Sequence, residues 1–86
     1  MNRREIDRLK SELKELAYIL QEAVKTAKSA RSIALRIGGE LGETIAKQLD
    51  HYTIEYLKAF IEDEHQPGSV KDLLTYLEEE TDKVVK

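Results

Sequence analysis

Apolar residues recur through the first half of the chain at alternating steps of three and four: Ile6, Leu9, Leu13, Leu16, Leu20, Ala23, Ala27, Ala30, Ala34, Ile37 and Leu41. An unbroken run of that spacing demands an α-helix with one continuous seam, the pattern of a coiled coil. No Gly or Pro interrupts residues 2–37. The spacing predicts a first helix over about 3–36, on the order of 50 Å long. The seam changes character along its length. It is Ile and Leu from 6 to 20, then Ala at each position from 23 to 34. Large residues hold helices about 10 Å apart and alanines nearer 8 Å. The interface is therefore expected to be wide at the start and tight at the end.

After Ile37 the sequence reads Gly38-Gly39-Glu40-Leu41-Gly42. Two readings compete. In one, the helix breaks, with Gly38 in the left-handed position that follows many helix ends. The charges agree: Lys28, Arg31 and Arg36 precede the break and Glu40 and Glu43 follow it, each favourable to a helix dipole. In the other, the helix runs on, and Ala30, Ala34, Gly38, Gly42 and Ala46 form a smooth ridge spaced by four. Two adjacent glycines cost about 2 kcal/mol inside a helix relative to alanines, so the break is favoured.

A second helix is predicted over about 41–64. Its apolar face is Leu41, Ile45, Leu49, Tyr52 and Tyr56, widened at the end by Leu57, Phe60 and Ile61. Tyr52, Tyr56 and Phe60 put three rings on one ridge, suited to a core or to a partner surface. Pro67-Gly68 marks a turn. Ser69 then reads as an N-cap with Asp72 at the third helical position, close to a capping box. A third helix follows over about 70–82, with Val70, Leu73, Leu74 and Leu77 inward. The polar end from Glu78 is expected to fray. The fold class is all-α: a long coiled-coil-like hairpin plus a short third helix, one domain over 1–86, assembled as a homo-oligomeric bundle.

The net charge of −3 conceals an asymmetry. Residues 1–37 carry nine basic and five acidic side chains, or +4, and residues 38–86 carry five basic and twelve acidic, or −7. The arms of a hairpin, or neighbouring copies, are thus expected to attract one another. The sharper alternative is a small dimeric nucleic-acid-associated regulator that sets Arg3, Arg4, Arg8, Lys25, Lys28, Arg31 and Arg36 on phosphates. A sequence pI near 5.4 disfavours it.

Most chemistry is excluded by composition. The chain has no Cys, hence no disulfide, no thiolate zinc site and no cysteine nucleophile. No Ser/His/Asp grouping is legible, and the glycine cluster lacks the Lys-Ser/Thr of a phosphate loop. Glu62-Asp63-Glu64-His65 contains the Glu-x-x-His spacing of di-iron bundles. The first-helix seam offers no carboxylates to complete such a site, so a solvated acidic helix end is expected there, with weak adventitious divalent-cation binding as the lesser alternative. No catalytic residue, cofactor or resident metal is assigned, and enzyme activity is not expected. No apolar run approaches 18 residues, and the polar start Met1-Asn2-Arg3-Arg4-Glu5 does not read as a secretory leader. A cytoplasmic location without membrane contact is the expectation.

A chain of this size buries only about 60–65% of its unfolded surface. The first helix is longer than the second, so Ile6, Leu9 and Leu13 are left for the third helix or a second chain to cover. The expected function is protein–protein interaction, as a scaffold, adaptor or regulatory subunit. Ile6, Leu9, Leu13, Leu16, Leu20, Ala27, Ala34, Tyr52, Tyr56 and Phe60 are the candidate interface residues. A homodimer is the favoured assembly, with another protein as the second choice.

Overall fold

The computed structural model describes the backbone of residues 3–85 and the side chains of residues 3–81. Met1, Asn2 and Lys86 lie outside, so the reading of the extreme N-terminus falls partly outside the described residues. Among the described residues all regular structure is helical. Helix α1 spans Arg3–Ile37. The second arm is a single rod made of α2 (Gly39–Gln48), a π-helical segment π1 (Leu49–Ile54) and α3 (Glu55–Glu62). Helix α4 spans Val70–Val85. The backbone stays helical to Val85, three residues past the predicted end.

The break after Ile37 takes a single residue. Gly38 has φ 73° and ψ −168°, and Gly39 has φ 65°. The sign of φ is the expected one, but this ψ lies outside the left-handed helical region, in territory that is nearly glycine-only. Gly38 serves both helices. Its N–H donates to the Ala34 carbonyl at 3.1 Å, and its own carbonyl accepts from Gly42 N–H at 3.1 Å. Of the ridge of small residues, Ala34, Gly38, Gly42 and Ala46 face one another across the corner, while Ala30 is exposed. A Cβ added to Gly42 would run into the Ala34 carbonyl oxygen, so only glycine permits this approach.

Helix α1 packs in turn along α2, π1, α3 and α4. At the far end of α1, Ile6 is only 8% exposed. That burial requires α4 to run back along the N-terminal half of α1. The result is one layer, two helices wide, with extents of 60 × 21 × 11 Å.

Helix α1 buries a seam that alternates by four and three: Ile6, Lys10, Leu13, Ala17, Leu20, Val24, Ala27, Arg31, Ala34 and Gly38 are buried or half-buried. Every second position of the predicted seam is therefore kept: Ile6, Leu13, Leu20, Ala27 and Ala34. Of the others, Leu9, Leu16, Ala30 and Ile37 are exposed and give way to the residue that follows each, while Ala23 stays half-buried beside Val24. The reason is the width of the apolar face. It spans two adjacent stripes, and a single neighbouring rod covers one of them.

The second arm is corrected in the same sense. The predicted inward face Leu41, Ile45, Tyr52 and Tyr56 is exposed, while Gly42, Ala46 and Ile54 are buried and Leu57 and Ile61 half-buried. At the start of the arm the close approach of Gly42 to Ala34 turns Leu41 and Ile45 outward, and beyond Ala46 segment π1 explains the change. An uninterrupted α-helix through Ala46 would bring Thr53, Tyr56 and Phe60 to α1. The wide π turn accommodates one extra residue, so Ile54, Leu57 and Ile61 arrive instead. Val24, Ala27 and Ile54 form the central cluster, flanked by Leu57 and Ile61. Branched aliphatics fill the space beside an alanine, and tyrosine hydroxyls stay in water.

The turn before α4 is built on Ser69, which is fully buried. Its hydroxyl oxygen accepts from Asp72 N–H at 3.0 Å, the N-cap bond predicted from the sequence. The same hydroxyl donates to the Asp63 carbonyl at 2.7 Å, tying the end of α3 to the start of α4. The Asp72 carboxylate accepts from Gly68 N–H at 3.4 Å.

Candidate functional site

The two sides of the layer differ in chemistry. One position before each residue of the α1 seam lies a second stripe: Leu16, Ile19, Ala23, Thr26, Ala30, Ile33 and Ile37. It is turned about 100° from the seam. Leu16, Ile19, Ile33 and Ile37 are 42%, 54%, 47% and 64% exposed. No charged side chain interrupts the stripe. Thr26 fits it, because its hydroxyl donates to the Glu22 carbonyl at 3.1 Å within the helix, leaving its methyl as the surface group.

The second arm repeats the arrangement. Leu41, Ile45, Leu49, Thr53, Tyr56 and Phe60 each precede a residue of its inward face, and all but the half-buried Leu49 are exposed. The arms are antiparallel, so the same rotation away from the seam brings both stripes to one side of the layer. The opposite side holds the residues that follow the seam. There, Gln21, Lys25, Lys58 and Glu62 rim an open groove of about 300 Å³ floored by Val24 and Ile61. One face is apolar over roughly 30 Å of its length, and the other is mainly polar, with Tyr18 and Leu35 as exposed large apolar residues on it.

The sequence-predicted interface residues divide between these environments. Ile6, Leu13, Leu20, Ala27 and Ala34 lie in the intramolecular seam. Leu16, Tyr56 and Phe60 lie on the exposed apolar face. Leu9 is exposed on the same stripe, separated from Leu16 by Glu12. Tyr52, at the outer edge of the second arm, borders a shallow groove of about 290 Å³ with His51, Glu55, Tyr56, Ala59 and Gln66. The sequence reading missed Ile19, Ile33, Ile37 and Leu41 as surface groups. The available signal was a second in-phase stripe one residue out of step with the first.

The basic residues of the nucleic-acid alternative are partly engaged within the chain. Arg31 sits in the seam, where its Nε donates to Asp50 Oδ2 at 2.6 Å. Lys25 pairs with Glu22 at 3.3 Å. Arg4 also has a partner. Arg3, Arg8, Lys28 and Arg36 are exposed along α1.

Around Glu62-Asp63-Glu64-His65 the acids serve the turn. Asp63 Oδ1 accepts from His65 N–H at 2.9 Å, and Glu64 lies 3.9 Å from Lys71. Among the described residues no group of three or more His, Asp or Glu is placed to hold a metal ion, and no helix is long and apolar enough to cross a membrane. Comparison with protein-family models, with curated proteins and with solved structures finds no match.

Proposed function

We propose that the protein is a non-enzymatic protein–protein interaction module, a small cytoplasmic scaffold, adaptor or regulatory subunit working through its apolar face. The observation that carries this reading is the charge-free stripe from Leu16 to Ile37, exposed along α1. Soluble chains rarely leave so long a contiguous apolar strip uncovered. The overall surface agrees. The chain exposes 6660 Å², where a compact monomer of its mass exposes about 5,200 Å².

Affinity capture with the full chain tests the reading, comparing wild type with Ile33→Glu and scoring both self-association and retained foreign proteins. The reading predicts retention that survives high salt and is lost in Ile33→Glu. The alternative, a basic helix on phosphate, predicts retention of nucleic acid that falls steeply with log salt. That outcome, untouched by Ile33→Glu, would overturn the interaction-module reading. The engagement of Arg31 and Lys25 with acids weighs against the alternative.

A further inference from the structure

We infer that the apolar face is closed by the same face of a second copy. The α1 helix of each chain lies over the second arm of the other, and the two layers form an antiparallel four-helix bundle. This rests on the interaction-module reading and names its partner. Three features lead to it.

The first is area. The surface in excess of a compact monomer is about 1,500 Å² per chain, and a standard stable interface needs about 800 Å² from each partner. Two layers packed face to face also supply what one layer lacks, a core enclosed on both sides.

The second is size matching, in a register that symmetry determines. The central cluster marks where the two arms share a level: Val24 and Ala27 of α1 with Ile54 of the second arm, and Leu57 and Ile61 packed against them. The face residues that precede these, Ala23 and Thr26 on α1 and Thr53 and Tyr56 on the second arm, therefore lie at neighbouring levels. A two-fold axis along the hairpin sets α1 of one copy over the second arm of the other at equal levels. Ala23 and Thr26 then face Thr53 and Tyr56 of the partner copy, small side chains against a large ring, as interdigitating layers require.

The third is charge. Helix α1 carries +4, and the second arm from Gly39 to Glu62 carries −3, with five acidic against two basic side chains. The chosen axis lays the basic helix on the acidic arm, and the other axis stacks like on like.

The absence of native cysteine makes the test direct. Full-length Thr26→Cys and Thr53→Cys variants are prepared separately, then oxidised alone and after mixing, with wild-type sedimentation equilibrium alongside. The expected result is a wild-type dimer, a covalent dimer in the mixture, and little covalent dimer from either variant alone. Efficient self-crosslinking of Thr26→Cys would overturn the arrangement in favour of α1 on α1. A dimer in which no combination crosslinks would place the interface on another face. A wild-type monomer across the concentration range would overturn the second copy as occupant. In each of those cases the interaction-module reading stands or falls separately, on whether Ile33→Glu abolishes capture.

Discussion

Ser69 shows how much one small side chain carries here. It is fully buried, accepts one hydrogen bond and donates another. Ser69→Ala removes the cap of α4 and leaves the Asp63 carbonyl without that donor, a cost of about 1–2 kcal/mol. Thermal melting should show a drop of about 4–8 °C per kcal/mol. Gly42→Ala acts by the opposite means, adding an atom where the Ala34 carbonyl already sits. The corner must open, at about 1–3 kcal/mol, and the loss of melting temperature should be clear in circular dichroism. The Arg31–Asp50 pair is short, but both side chains are about 40% exposed. Asp50→Asn should therefore cost under about 1 kcal/mol, and less still in high salt. Urea titrations at two ionic strengths measure this. Ser69 was legible beforehand because a cap needs only local residues at fixed spacing. The Gly42–Ala34 approach was seen as a ridge of small residues, but its direction across a corner depended on where the chain turned.

At the scale of elements, the deciding feature is π1. Its extra residue exchanges one inward set, Thr53, Tyr56 and Phe60, for another, Ile54, Leu57 and Ile61. A deletion pair tests that account. Removing Thr53 returns the rod to α-helical spacing with Ile54, Leu57 and Ile61 still inward, so helicity and melting temperature should stay near wild type. Removing Ala59 instead rotates Ile61 out of the seam and Glu62 into it, which should cost about 2–4 kcal/mol. Equal losses from the two deletions would refute the register argument. Periodicity foretold helices over nearly the right spans, because helical spacing is a local property. Two overlapping stripes on each arm left the choice of buried face open, and counting apolar residues could not make it. The neighbour made it, by taking aliphatic groups beside Val24 and Ala27.

The whole molecule is a plank. Its radius of gyration is 17.5 Å, against about 12 Å for a compact chain of this length. Ile33→Glu should leave helicity intact and yield an isolated plank, with small-angle scattering giving a radius of gyration near that of the single chain. A variant that collapsed towards the compact value would show that the apolar face folds on itself. Leu13→Glu should behave differently, because Leu13 is half-buried in the seam of α1 beneath α4. It should loosen the docking of α4 and lower the melting temperature before it affects any partner.

Sequence alone determined the helical class, the corner at Gly38, the turn at Pro67-Gly68, the cap at Ser69 and the charge contrast between the arms. Each follows from residues within a few positions of one another. The tertiary structure decided which of two apolar stripes is buried, and so which one is left as a face. That choice depends on how closely two rods approach at Ala34 and Gly42, and on where π1 lets in one more residue. Both are properties of the packed pair, which neither helix possesses by itself.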